Sequence, residues 1–248
     1  MRILLWAEFQ KLRRSNIILF TIFAAIFNQR FNVLIRGLIQ LFSESDQLTA
    51  NTVGWYMTIT QVLATIFVLP SVIALLGSYM ICREEQDDTI KSLRLIPINE
   101  ARLTVAKMMV TFIFSVLVYL LLFMITFSAE AVLHFSDLSF GMILNFLKMY
   151  LLDGIGVFLA VAPIIALAPY LKKSYWLSLV LAEIYSFAGM FMSMSNMLKT
   201  FYPITAIFGV SGYYDTATQD WIYSFIVLLA CGCLSVLLLN GLNHKKKG

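Results

Sequence analysis

Arg83–Lys107, which reads REEQDDTIKSLRLIPINEARLTVAK, is the longest strongly charged stretch in an otherwise apolar sequence. It separates two apolar runs, each long enough to cross a membrane as a helix. Its acids come first and its bases later, an order that favours a short helix because it complements the helix dipole. Pro97 ends that helix, and Asn99 is a candidate N-cap for the next one. From the residues alone the stretch is either a solvated loop between two spans or a docking element.

The composition assigns the chain to the membrane proteins. The chain has 248 residues, of which 60% are hydrophobic and only 13% charged, far less charge than a soluble domain carries. The apolar runs are continuous, whereas the strands of a membrane barrel alternate in short segments. We therefore predict an all-α polytopic membrane protein with one transmembrane domain over residues 1–248. Cys231 and Cys233 lack a second ligand pair, so we expect no metal or cofactor in this chain.

The apolar runs predict six transmembrane helices, with Pro70 expected to kink the second. The spans are predicted at about residues 16–39, 56–82, 104–127, 146–170, 175–194 and 221–242. A short loop with Glu130, His134 and Asp137 is predicted after the third. Residues 1–15 form an amphipathic helix suited to the membrane surface. Residues 199–220 have an apolar middle too short to span, which favours an outer re-entrant loop.

The distribution of basic residues predicts the orientation. Six spans place both termini on one side, and that side collects nearly all lysines and arginines outside the spans. The positive-inside rule then places both termini and the segment 83–103 in the cytoplasm.

Three motifs in this order resemble the permeases of ABC-2 type transporters. The opening run Ala7–Ser15, AEFQKLRRS, is similar to the amphipathic helix with which that family begins. The run Glu84–Lys107 resembles the family's coupling segment, although Asp87-Asp88 stands where the family more often has a glycine before the threonine. Tyr202–Phe208, YPITAIF, resembles the outer element before the last span. The short length resembles, within that family, the lantibiotic-immunity and bacitracin-export permeases of bacterial cell membranes.

The resemblance implies a transport subunit and not an enzyme. The sequence lacks the G-x-x-x-x-G-K-[ST] phosphate loop, so ATP and Mg would be held by a separate ATP-binding cassette ATPase subunit. A second permease subunit, identical or different, a peptide cargo and the lipid bilayer complete the implied partners; no nucleic acid is implied. The implied ATPase-coupling residues are Glu84, Glu85, Asp88, Thr89, Ile90, Lys91, Leu93, Arg94 and Pro97.

Charged residues inside the spans are the other candidates for function. Glu183 and Asp153 lie within apolar runs, where an acid is costly and is often functional. Each has a second interpretation, as a hydrogen-bonded group that holds helices together. Arg30 lies at a depth comparable to that of Asp153, which suggests an Arg30–Asp153 pair.

Small residues share one face of the fifth span. They are Ala182, Ser186, Gly189 and Ser193, and small residues allow helices to approach closely. We interpret this face as a packing surface that serves contact between two permease subunits. The methionines Met190, Met192, Met194 and Met197 are either filler or an adaptable path for apolar cargo.

Alternative functions remain at this point. An ABC-2 permease of this size could export a drug, lipid or ion in place of a peptide. A membrane-embedded enzyme would need clustered histidines, acids or a nucleophile at one membrane face, and the acids here are scattered. A secondary transporter often carries an inverted repeat, and none is visible. A membrane assembly factor is the remaining possibility.

Overall fold

The computed structural model describes residues 2–13, 52–86, 100–134, 137–170, 175–195 and 197–245, and within these ranges it contains helices and no strand. The helices are α1 (Arg2–Arg13), α2 (Trp55–Leu63), α3 (Leu69–Gln86), α4 (Glu100–His134), α5 (Phe140–Leu167), α6 (Tyr175–Met192), α7 (Leu198–Phe201), α8 (Pro203–Ser211) and α9 (Thr218–Lys245). A π-helical turn, Ala64–Val68, joins α2 to α3. A 3-10 turn, Ala168–Tyr170, follows α5.

Five helical stretches are long and apolar enough to cross a membrane. They are Trp55–Arg83, Leu103–His134, Phe140–Tyr170, Tyr175–Met192 and Thr218–Gly241. The predicted all-α polytopic membrane fold is confirmed. The predicted first span, 16–39, lies outside the described residues, so the count of six stays a prediction.

Two predicted boundaries are wrong. The third span was expected to end near Phe127, but α4 continues without a break to His134, because its last turns lack glycine and proline and Glu130 finds partners. The fourth span was expected to begin near Phe146. It begins at Phe140, where Ser139 caps the helix by accepting a 3.2 Å hydrogen bond from the Met142 backbone N–H.

A π turn ends two residues before Pro70, while the kink expected at this proline stays a prediction. A proline has no backbone N–H, so the carbonyl one turn earlier loses its helical partner. The widened turn Ala64–Val68 is the local response, and π turns of this kind are often found at functional sites.

Helix α5 is the centre of the bundle. It packs along α4, α9 and α3, and the short helix α8 also lies against it. Its contact with α4 is close, because a Cβ on Gly154 would lie 3.1 Å from the Val116 Cα. The fifth span, α6, packs on α3 and the π turn.

Candidate functional site

A buried acid lies near the middle of the central helix. Asp153 is fully buried, and one carboxylate oxygen accepts a 2.7 Å hydrogen bond from Nε2 of Gln61 on α2, which is also fully buried. Among the described residues, Asp153 Oδ1 and Gln61 Oε1 have no hydrogen-bond partner within normal geometry. The pair therefore links α2 to α5 while two acceptor atoms remain available inside the bundle.

The predicted pair of Arg30 with Asp153 stays a prediction, because Arg30 lies outside the described residues. The partner that the structure gives Asp153 is Gln61. Sequence reasoning missed Gln61, although a glutamine within an apolar run is a signal of the same kind as a buried acid.

Further polar contacts extend from this pair between α2, α4 and α5. Thr65 in the π turn and Tyr119 on α4 share a 2.9 Å hydrogen bond. Tyr150 on α5 donates to the backbone carbonyl of Met57 at 2.7 Å, and Ser115 on α4 donates to the Gly154 carbonyl at 2.6 Å. We call these contacts, together with Asp153 and Gln61, the buried polar layer. The interior of the bundle is thus hydrogen-bonded across three helices and is not a plain apolar core.

The π turn is completed by the fifth span. Ser186 Oγ donates a 2.5 Å hydrogen bond to the carbonyl of Ile66, the group whose partner in a regular α-helix would be the N–H of residue 70. Because residue 70 is proline, Ser186 supplies the donor that the backbone lacks. Serine side chains stabilise broken transmembrane helices in this way.

Glu183 lies one turn away on the same helix. Its carboxylate accepts a hydrogen bond from Ser71, the residue after Pro70. Glu183 is half-buried. This contact joins α6 to α3, as the helix-holding interpretation of Glu183 expects.

The small-residue face of α6 is buried within this chain. Ala182 and Ser186 are fully buried, and a Cβ on Gly189 would lie 3.2 Å from Ile204 Cγ2 on α8. Ser193 Oγ donates to the Met190 carbonyl of its own helix. The side chains of Ala182 and Ser186 therefore contact helices of the same chain, and a role of this face in contact between two subunits stays a prediction.

The far end of α4 holds a second buried acid that was placed in a loop by sequence reasoning. Glu130 is fully buried, and its Oε1 accepts a 2.8 Å hydrogen bond from the backbone N–H of Gly54 and lies 3.0 Å from His134 Nδ1. Gly54 has a φ of 84°, which glycine adopts readily. Glu130 thus fixes the start of α2. The available signal was an acid and a histidine four residues apart.

The short helix α8 fills the space between α5, α6 and α9. It is buried along most of its length, and a Cβ on Gly156 would lie 2.9 Å from Ile207 Cγ2. The Tyr202 hydroxyl donates to the Tyr185 carbonyl of α6. After α8, burial raises the pKa of the Tyr213 and Tyr214 phenols above the usual value. The loop 199–220 therefore contains a packed helix, while its re-entrant position stays a prediction.

The N-terminal helix packs against the ends of two spans. Leu5 packs against the cluster of Leu76 and Met80 on α3 with Val110 on α4. Glu8 is only 3% exposed, although sequence reasoning did not single it out, and Trp6 is 66% exposed. Lys107, in the part of α4 that opens the third span, is likewise only 4% exposed. Helix α1 thus presents an aromatic side chain outward and an acid inward.

The predicted coupling residues fall mostly outside the described residues. Glu84 and Glu85 belong to the last turn of α3, and residues 87–99 lie outside, which includes Asp88, Thr89, Ile90, Lys91, Leu93, Arg94 and Pro97. The described helices show where the segment is attached: it leaves α3 at Gln86 and joins α4 at Glu100.

Apolar spans around a hydrogen-bonded interior define a multi-pass membrane protein with a protein-lined centre. The family can also be stated, because the family model described as "ABC-2 family transporter protein" matches residues 4–189. The chain belongs to this family and is a membrane permease subunit of an ABC transporter. A search of curated proteins returns no match. The matched residues contain α1 from its third residue onward, the predicted coupling segment and the whole buried polar layer, and they end inside α6.

Proposed function

We propose that this permease exports antimicrobial peptides of the lantibiotic or bacitracin type and thereby protects the cell that carries it. It would act with a second permease subunit and two ATPase subunits, which hold ATP and Mg. The segment 83–103 would dock on the ATPase and pass its motion to the spans.

One observation carries the coupling part of the proposal: α1 packs along α4 and, through Leu5, also contacts a cluster that α4 shares with α3. Leu5 contacts the cluster of Leu76, Met80 and Val110, which joins α3 to α4 at this end of the bundle. Three helices thus form one body around the two attachment points. A displacement of the segment would move this body as a unit, since packed interiors transmit strain and have low compressibility.

The same helices lead to the buried polar layer. Helix α3 continues through the π turn into α2, which carries Gln61, the partner of Asp153. A shift of α3 would therefore move Gln61 relative to Asp153 and change the hydrogen bond between α2 and the central helix α5. The π turn is a place where such a shift can be absorbed, because its backbone is already irregular.

The support for a peptide cargo is the resemblance to immunity and bacitracin-export permeases together with two exposed methionines. Met194 and Met197 are 80% and 71% exposed just after α6. Methionine adapts its shape to irregular apolar partners, a property suited to amphipathic peptides of varied sequence.

The coupling segment is tested with Ile90→Pro and a matched control, Lys173→Ala, at a different predicted cytosolic turn. The complex with its ATPase would be purified and reconstituted in lipid vesicles. A proline inside a helix costs about 3 kcal/mol, so Ile90→Pro should abolish peptide-stimulated ATP turnover and loosen the ATPase at an unchanged amount of inserted permease. Lys173→Ala should leave both nearly unchanged, because exposed charge contacts are worth only ~0–1 kcal/mol.

The outcomes separate coupling from cargo. Normal peptide-stimulated turnover in Ile90→Pro would show that the segment is only a linker. Turnover that responds to a lipid, drug or ion but not to a lantibiotic or bacitracin would reject the peptide cargo and leave the coupling role intact.

Changing Glu84 and Glu85 to Lys should weaken ATPase association, and added salt should reduce the difference from the unchanged protein, since salt screens exposed charges.

A further inference from the structure

A groove with a volume of about 410 Å³ opens between α4, α5 and α9. Helices α4 and α9 both pack along α5 but hardly contact each other, so a gap remains on the side of α5 that they flank. Small residues deepen the gap, since Ala162 and Gly232 lie on its wall. Phe112 and Phe158, whose ring centroids are 5.3 Å apart in an edge-to-face contact, also line it. We call this cavity the α4–α5–α9 groove.

The dimensions of the groove match the hydrocarbon depth of one leaflet. Its lining on α4 runs from Thr104 to Phe112, and on α9 from Gly232 to Asn240, which is about 12 Å in each case at ~1.5 Å per residue. Half of a ~30 Å hydrocarbon core is about 15 Å. The walls are mostly apolar, and outward-facing side chains such as Val105 and Val236 leave the groove open to the surroundings of the bundle, being 47% and 56% exposed. An apolar groove of this depth on a membrane span fits a lipid tail.

The two ends of the groove differ in polarity. Thr104 and Asn240 lie at the end where α4 begins and α9 finishes. At that end Arg102 lies in the first turn of α4 and Lys245 is the last residue of α9. The first turn of α4 and the last turn of α9 together carry the two bases Arg102 and Lys245 and one acid, Glu100.

From this arrangement we propose that the α4–α5–α9 groove binds an anionic phospholipid. One acyl chain lies along the groove, and the negatively charged headgroup lies beyond Thr104 and Asn240 near Arg102 and Lys245. Basic pockets between membrane helices on the cytoplasmic side recognise anionic headgroups in this way. The site is separate from the buried polar layer, because none of its lining residues belongs to that layer.

The test compares Val236→Trp, which fills the groove, with Leu237→Trp, its neighbour on α9. Leu237 is 68% exposed and does not line the groove. The full chain in mild detergent would be titrated with phosphatidylglycerol or phosphatidylcholine of identical acyl chains, and bound lipid counted by native mass spectrometry. Phosphatidylglycerol should bind more tightly, by about fivefold for each base that contributes. Val236→Trp should remove the tight site, whereas Leu237→Trp should retain it.

A second pair of changes addresses the headgroup. Changing Arg102 and Lys245 to Gln should bring phosphatidylglycerol binding to the level of phosphatidylcholine without affecting the thermal unfolding of the protein. Equal binding of the two lipids to the unchanged chain, or equal loss in the two tryptophan variants, would overturn the proposal. So would an efficient disulfide between two copies of the chain through Val236→Cys, because a protein neighbour would then occupy the groove.

Discussion

The spans Trp55–Arg83 and Thr218–Gly241 are alike in hydropathy and opposite in environment. The mean hydropathies of their most apolar windows are 2.2 and 2.6. Yet 72% of the first window is buried inside the protein, against 17% of the second. Hydropathy therefore indicates that a segment can cross the membrane but does not indicate whether it faces protein or lipid.

Polar side chains and irregular backbone distinguish the two spans. The buried span carries Gln61, Thr65 and Ser71 and contains the π turn. The other is a regular helix with exposed leucines such as Leu229 and Leu237. Unpaired polar groups are very costly in lipid, so a helix with a broken hydrogen-bond ladder must lie against protein partners.

The largest expected difference comes from a matched pair of leucine truncations. Leu69 is 1% exposed in the main core cluster, whereas Leu237 is 68% exposed. Leu69→Ala should lower the free energy of unfolding by about 2–5 kcal/mol, because a cavity replaces the lost contacts. Leu237→Ala should change it by less than about 0.5 kcal/mol, as surface substitutions do. Unfolding in mild detergent micelles, followed by tryptophan fluorescence, measures both.

The comparison fails if the two truncations have equal effects. A large loss in Leu237→Ala would mean that α9 is packed against another protein surface and not against lipid. A small loss of unfolding free energy in Leu69→Ala would mean that the side chains around the π turn can repack to fill the space left by the truncation.

A smaller effect is expected from Gln61→Leu. This change removes the donor at 2.7 Å from Asp153 and leaves the buried carboxyl without it, at a cost of about 1–3 kcal/mol. The double variant Gln61→Leu with Asp153→Leu should recover most of the loss, because replacing both polar partners by apolar groups is often neutral. Detergent unfolding of the single and double variants checks this, with Asn240→Leu on the exposed span as the control.

If the double variant does not regain stability, the interpretation of Gln61 and Asp153 as a purely structural pair is contradicted. If the double variant is as stable as the unchanged protein but does not support peptide-stimulated ATP turnover, the pair has a role in transport. If neither single variant loses stability, the hydrogen bond between α2 and α5 contributes nothing measurable.

The sequence was sufficient to predict features that depend on local pattern. Continuous apolar runs predicted the five described spans, and Asp153 was recognisable because an acid is rare in such a run. A kink was predicted at Pro70 because this residue lacks a backbone N–H, and a π turn lies just before it. Family membership followed from the order of loose motifs and not from any one of them.

Features that depend on distant partners were not predictable in the same way. Glu130 continues a helix because it meets the N–H of Gly54, a residue 76 positions earlier in the chain. Ser186 was read as part of a packing face, but its specific role follows from a carbonyl 120 positions away. Hydropathy gives no information about such pairings, so the third span was predicted too short.

The smallest effect separates a serine that completes a broken helix from one that does not. Ser186 Oγ donates to the Ile66 carbonyl of another helix, whereas Ser193 Oγ donates to the Met190 carbonyl of its own helix. Ser186→Ala should lower the free energy of unfolding by about 0.6–1.7 kcal/mol, the range for hydrogen bonds between membrane helices. Ser193→Ala should change it by less than about 0.5 kcal/mol.

Adding Pro70→Ala gives the backbone an N–H for the Ile66 carbonyl, so the loss of unfolding free energy caused by Ser186→Ala should then become smaller. Detergent unfolding of the four variants measures these differences. An undiminished loss in the presence of Pro70→Ala would show that Ser186 stabilises α6 by close packing alone and that the π turn does not depend on its hydroxyl.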